Sequence, residues 1–312
     1  MAEFKHVPVL LQQCLDGLDI KPDGCYMDGT VGGAGHSSHI AKALGPQGSL
    51  YCFDKDPQAI AAATERLAEF SNVNILRGDF RDAQSLLGGR TDFLDGALLD
   101  LGVSSHQLDS AERGFSYNKE GALDMRMADN GTTAADIVNT ASFEQLCRIL
   151  RDYGEESYAP RIADKIIAAR EEASIETTLQ LSEIVASALP ASVRRKEKHP
   201  ARKTFQALRI AVNDEMGALR EGMESIFSML KPGGRFCRFF IITFHSIEDR
   251  IVKQYFASLQ QGCTCPPEFP VCVCGGKPKA KAISKKPIAA DEAECTENRR
   301  ARSAKLRVIE KL

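Results

Sequence analysis

Asp28-Gly-Thr-Val-Gly-Gly-Ala-Gly-His36 follows a short strand-like segment, Cys25-Tyr-Met27, and leads into a helix-like one from Ser37 to Leu44. A glycine-rich turn between strand and helix lets backbone approach a ligand closely, and the start of the helix offers N–H donors. Roughly twenty residues past Gly35 stands Asp54, ending the apolar strand Tyr51-Cys-Phe-Asp54, where a doubly wound α/β fold puts the acid that grips a ribose diol. The turn predicts a nucleoside-bearing cofactor. A plain glycine-rich turn is the alternative.

The glycines, Gly29, Gly32, Gly33 and Gly35, do not follow the G-x-G-x-x-G spacing that seats a pyrophosphate. A carboxylate at Asp28 repels a pyrophosphate and accepts bonds from an ammonium. S-adenosylmethionine, with an amino-acid end and no phosphate, matches this loop better than a nicotinamide cofactor. Two further strands extend the pattern. Asn74-Ile-Leu-Arg-Gly-Asp79-Phe80 ends in an acid and a ring suited to an adenine, and Leu94-Asp-Gly-Ala-Leu-Leu-Asp100 ends in another carboxylate. Open α/β sheets bind ligands at that carboxyl edge. Each acid alone reads as a turn residue; the ordered set favours a site.

The 312 residues, 43% hydrophobic and 26% charged, describe a globular protein of one large or two moderate domains. The longest apolar run, near Phe239 to Phe244, is too short to span a membrane, and the N-terminal residues lack a secretory signal. A soluble cytoplasmic protein is expected. The net charge of -2 attracts no polyanion globally, but three basic blocks, 194–203, 277–286 and 299–307, favour a polyanionic partner on a defined surface. Six cysteines are scattered singly, as in a reducing compartment. The other four form Cys263-Thr-Cys265 and Cys272-Val-Cys274. They read either as a zinc knuckle or as a reduced surface hairpin, away from catalysis, and no metal is assigned to the active site.

Strand and helix alternate to about Gly102. From Ser110 to Lys203 the strand signals vanish and helices follow at 142–153, 159–172 and 179–189. The domains are therefore placed at 1–109 with 204–312, and at 110–203 as a helical insertion. Apolar residues from Phe205 to Leu230 at steps of three and four predict one long helix. Lys231-Pro-Gly-Gly234 stops it before a strand, Arg235 to Phe244, and a helix from Ile247 to Leu259. Residues 266–290 read as a mobile loop, and Leu306 to Ile309 as a last short strand.

With these pieces in place, the chain resembles the S-adenosylmethionine-dependent 16S ribosomal RNA methyltransferases that modify a cytosine N4. The resemblance spans nearly the whole chain. It rests on His6-Val-Pro-Val-Leu10, Asp28-Gly-Thr…Gly-His36, Asp54-Lys-Asp-Pro57, Leu99-Asp-Leu-Gly-Val-Ser-Ser-His-Gln-Leu-Asp109 and Arg113-Gly-Phe-Ser116. It continues through Leu123-Asp-Met-Arg-Met127, Tyr153-Gly-Glu-Glu156, His199-Pro-Ala…Thr204-Phe-Gln-Ala-Leu-Arg-Ile210, Phe244-His-Ser-Ile-Glu-Asp-Arg250 and Arg300-Ala-Arg-Ser303. The resemblance implies a class I methyltransferase sheet with an inserted helical substrate domain. It implies a cofactor cradle of Ala34, Gly35, His36, Asp54, Phe80, Asp100 and Gln107. The implied target is the exocyclic amine of a cytidine in the decoding region of 16S rRNA, within the small ribosomal subunit or a late assembly intermediate. No membrane is involved, and monomer and homodimer both stay open. Three departures stand out: Ala34 replaces a usual glycine, so its backbone is expected to avoid positive φ; Arg238 lies in an unusually aromatic strand and needs a carboxylate or an exposed edge; Arg299 replaces a proline.

Methylating N4 is an in-line displacement at a sulfonium methyl, for which alignment supplies on the order of 7–11 kcal/mol. Asp100, with Ser104 and Ser105, is the candidate to accept N4 hydrogen bonds, and equally a residue that only holds the cofactor. The loop from Asp100 to Ser105 contains no cysteine, which disfavours C5 methylation through a thiol nucleophile. Arg113, Phe115 and Tyr117 suggest a base-stacking edge or else a linker. His199 and His245 are RNA-contacting candidates or structural histidines. A dehydrogenase, a methyltransferase of another substrate class and a non-catalytic RNA-binding module are the competing readings.

Overall fold

In a computed structural model of the protein the described residues are 8–196, 199–241, 246–263, 265, 273–284, 286–298 and 301–312. Four parallel strands come first: β1 (Cys25–Asp28), β2 (Ser49–Asp54), β3 (Val73–Arg77) and β4 (Leu94–Leu101). After a helical stretch come β5 (Leu230–Ile241), β6 (Ala280–Ala282), β7 (Ile288–Ala289) and β8 (Ala304–Lys311). Their order is β3-β2-β1-β4-β5-β8-β6, with β7 also paired to β8. Strand order reverses between β1 and β4. β8 is antiparallel to β5. This is a doubly wound, Rossmann-like sheet. Tyr26, Met27, Leu50, Leu98 and Leu99 are fully buried, as expected of parallel strands covered on both faces.

Two compact units form, residues 1–102 with 217–312, and residues 103–216. The second unit is helical and takes in residues 103–109 and 204–216, which the expected boundaries gave to the first. Three of its helices open on reciprocal capping boxes, Thr133 with Asp136, Ser142 with Gln145 and Thr177 with Gln180, each satisfying N–H groups that the first helical turn leaves unpaired. Its core, which includes Leu123, Leu146, Ile162, Leu181 and Leu208, is its own.

The sequence expectations need four corrections. The long helix from Phe205 is two helices, Arg202–Asn213 and Glu215–Met229. They part at Asp214, whose φ of 45° is left-handed. Asn213 turns its side chain sideways, accepting from Met127 N–H (2.8 Å) and donating to the Met125 carbonyl (2.8 Å). A buried ion pair, Arg209 Nε to Glu215 Oε1 at 2.7 Å, spans the break. An apolar stripe cannot register such a joint, because its period continues across it. Second, β5 starts at Leu230, with a register irregularity against β4 between Leu94 and Gly96. Third, part of the expected loop 266–290 supplies β6 and β7. Fourth, β8 is twice as long as expected and interior to the sheet. The side chains of Arg238 to Ile241 lie outside the described residues, as do Arg299 and the last three residues of the expected strand, Ile242 to Phe244.

Candidate cofactor site

Register places the acids. Asp28 of β1 pairs with Cys52 of β2 and with Leu98 of β4. Asp54 and Asp100 each stand two residues further on, so one carboxylate flanks the end of β1 on either side, at the point where strand order reverses. The loop after β1 is stitched to both neighbours: Gly29 N–H donates to Leu98 O (2.9 Å) and Val31 N–H to Phe53 O (2.8 Å). Arg66 anchors its outer side through the Gly33 carbonyl (2.9 Å). A side chain built at Gly33 would meet nothing within 4 Å, so the turn faces open space there.

Asp28 does not face that space. It is 2% exposed, accepts Thr30 N–H at 3.0 Å and Ser37 Oγ–H at 2.6 Å, and burial raises its pKa. Its work is to brace the turn, which corrects the expectation that it meets an ammonium. Asp54 accepts Gly32 N–H through Oδ2 and Asp56 N–H through Oδ1, both at 2.9 Å. Burial pushes its pKa up to about 6, although those two N–H groups pull the other way. Asp56 in turn caps the helix Pro57–Arg66, accepting Gln58 N–H.

Ala34 takes a left-handed conformation, φ 57° and ψ 29°, against the expectation from its methyl group. Its N–H donates to Val31 O (2.7 Å) and its carbonyl accepts Ser38 N–H (3.0 Å); these bonds hold a geometry that costs an L-residue roughly 1–2 kcal/mol. Gly35 and His36 begin the helix Gly35–Ala43. The His36 ring is 7% exposed. Its Nε2 donates to the Val9 carbonyl at 3.0 Å, and Nδ1 lies 3.9 Å from Asp100 Oδ2. Asp100 N–H donates to Thr30 Oγ1 at 2.7 Å, while its carboxylate side chain keeps about a third of its surface exposed.

Phe80 is 8% exposed and packs on Gly222, where an added Cβ would lie 2.3 Å from its Cδ2. Asp79 sits among cations, 3.6 Å from Lys55 Nζ and 3.5 Å from Arg81 Nε. The first unit thus collects Ala34, Gly35, His36, Asp54, Phe80 and Asp100 of the expected cradle. Gln107 belongs to the second unit, where its Oε1 accepts Ser104 N–H (2.9 Å) and Ser104 Oγ accepts Gln107 N–H (3.2 Å). Sequence reading missed Thr30, Ser37 and Gly222. The spacing of Asp28 and Thr30 carried a signal for the first, since an aspartate commonly accepts the N–H two residues on; Gly222 had none, being one glycine inside a helix.

The expected base-stacking edge is spent internally. Phe115 is buried in the helical core, and Arg113 donates to the Arg126 and Met127 carbonyls. Tyr117 stacks on His199 at 4.3 Å between centroids. The third basic block is likewise partly paired, with Arg307 Nε 2.9 Å from Asp249 Oδ1. His245 lies outside the described residues.

A doubly wound sheet with a pinned glycine turn and two carboxylates at the reversal point has its ligand crevice where open α/β sheets place it, and the class of enzyme, a methyltransferase, is given by the family to which the chain belongs. The family model described as the MraW methylase family matches residues 3–312, and the chain belongs to that family. It is similar to the ribosomal RNA small subunit methyltransferase H of Lachnospira eligens, 52% identical over 313 residues and covering 99% of this chain and 98% of that protein. The protein of the same name from Pelobacter propionicus is 50% identical over 316 residues, covering 100% of both. Among solved structures, an rRNA methylase from Streptococcus thermophilus aligns with a TM-score of 0.45 and 12% identity over 100% of this chain and 99% of that one. No helix among the described residues is long and apolar enough to cross a membrane.

Proposed function

We propose that this chain is an S-adenosylmethionine-dependent methyltransferase acting on a cytidine N4 in the decoding region of 16S rRNA, in the cytoplasm, on the small subunit or a late assembly intermediate. The observation that carries the cofactor reading is the pair Asp54 and Asp100 flanking the end of β1. A phosphate would meet two carboxylates there; a ligand rich in hydroxyl and ammonium donors fits them. S-adenosylmethionine, when bound, supplies a methyl group on a sulfonium centre. The rRNA reading is supported by relatives half identical over their full length, and the N4 position by the motif resemblance.

In this reading Asp54, held rigid by two N–H groups, accepts from the sugar hydroxyls. Phe80, backed by Gly222, sides the adenine. Asp100, fixed through Thr30 and facing His36, accepts from the amino-acid ammonium, while Gln107 braces the segment after β4. The chain orients the amine and lets its proton depart late, so alignment carries the catalysis. Calorimetry with Asp100→Ala separates the two roles of that residue: cofactor affinity falls at least tenfold if it holds the cofactor, and stays unchanged with turnover lost if it serves only the amine. Mass-spectrometric mapping of 16S rRNA from cells with and without this gene tests the substrate. An unchanged methylation pattern would remove it.

A further inference from the structure

The two Cys-x-Cys pairs of the sequence take no part in the proposed methyl transfer, yet the fold gathers Cys263, Cys265 and Cys274 from them. Sγ atoms of Cys263, Cys265 and Cys274 all lie within 4.8 Å of one another. Zinc bound by thiolates at about 2.3 Å in tetrahedral geometry sets its sulfurs about 3.8 Å apart, and Cys263 Sγ and Cys274 Sγ are 3.7 Å apart. A disulfide would need them near 2.0 Å. Each sulfur also accepts a backbone N–H at 3.4 Å: Cys263 from Cys265, Cys265 from Val273 and Cys274 from Gly276. Such donors lower the cost of holding several thiolates together. Exposure is partial to full at all three residues, so a metal can enter.

The base of this excursion is built independently of any ion. Lys279 N–H donates to Leu259 O at 2.8 Å. Just above it, a side chain at Gly276 would fall 1.9 Å from the Gly262 carbonyl oxygen. Only glycine permits that approach, and it brings the segments carrying Cys263 and Cys274 side by side. The sequence supplies a further thiol, Cys272, two residues before Cys274; it lies outside the described residues.

We propose that Cys263, Cys265 and Cys274 bind one structural zinc ion through their thiolates. Binding displaces the thiol protons to solvent and forms Zn–S bonds without redox change. The site stitches the chain between the helix Ser246–Gln260 and β6.

The test uses the full chain, purified under reducing conditions without chelator and reconstituted with zinc chloride. Elemental analysis is expected to find about one zinc per chain, falling at least tenfold in a Cys263→Ser, Cys274→Ser double variant and unchanged in Cys295→Ser. Cobalt(II) added to the metal-free wild type is expected to give thiolate charge-transfer and tetrahedral d–d bands, a readout independent of whether the variants fold. Absence of stoichiometric zinc together with a flat cobalt spectrum overturns the proposal. So does bound iron with labile sulfide, or a Cys263–Cys274 disulfide in the reduced preparation. Because none of these readouts involves the methyl donor, the result stands apart from the proposed activity.

Discussion

Protonation of Asp54 is contested between burial, which favours the neutral acid, and two backbone N–H donors, which favour the anion. Burial prevails and the pKa reaches about 6. Between the ordinary value near 3.9 and 6 the folded protein therefore binds more protons than the unfolded chain. This residue's contribution to stability accordingly declines as pH rises through that window. Sugar hydroxyls donating to the carboxylate stabilise the anion and lower its pKa. Cofactor binding near pH 6 is then expected to release about half a proton, seen as a dependence of the calorimetric enthalpy on the buffer's ionisation enthalpy. Asp54→Asn abolishes that dependence and weakens binding by about 10- to 100-fold, the worth of hydrogen bonds to a charged group. Equal proton release in the variant would remove Asp54 from the site. His199 behaves oppositely. Burial lowers its pKa, and its Nδ1 accepts Ala201 N–H at 3.2 Å, a bond the protonated ring cannot make. Its contribution is complete above the ordinary imidazole value of about 6.5 and is lost as pH falls below it, so thermal melts should drop on acidification by less in His199→Gln than in wild type.

Among the elements, the helix Glu215–Met229 packs against Phe80 through one glycine. At Gly222 an alanine methyl would sit 2.3 Å from the Phe80 ring, and with that ring only 8% exposed the strain goes into displacing it. Gly222→Ala is expected to cost about 1–3 kcal/mol of stability and to weaken cofactor affinity in step, measured by denaturant unfolding and calorimetry; a fully stable variant with native affinity would contradict this packing. The parallel strands and their terminal acids were legible in sequence because apolar runs ending in a carboxylate carry both signals in one short window. What escaped was decided by distant partners. Asp214 turns left-handed where Asn213 bonds back to Met125 and Met127, and β6 forms only because β8 lies beside it. Ala34 misled for a third reason: its conformation is held by its backbone bonds to Val31 and Ser38, not by its own preference.

The whole molecule divides by chain continuity. The helical unit is one uninterrupted stretch, 103–216, with a core drawn from its own residues. Expressed alone, it is expected to give a helical far-ultraviolet spectrum and a cooperative thermal transition; a featureless melt would show that it borrows its stability. The sheet unit has no such independence, since β4 must find β5 across the entire insertion. That pairing has a consequence for synthesis. From Leu101 to Leu230 a ribosome adds roughly 130 residues, which at about 5–20 residues per second takes on the order of ten seconds. Throughout that interval the nascent chain offers a naked hydrogen-bonding margin to its surroundings, a standing invitation to chaperones and to neighbouring nascent chains alike.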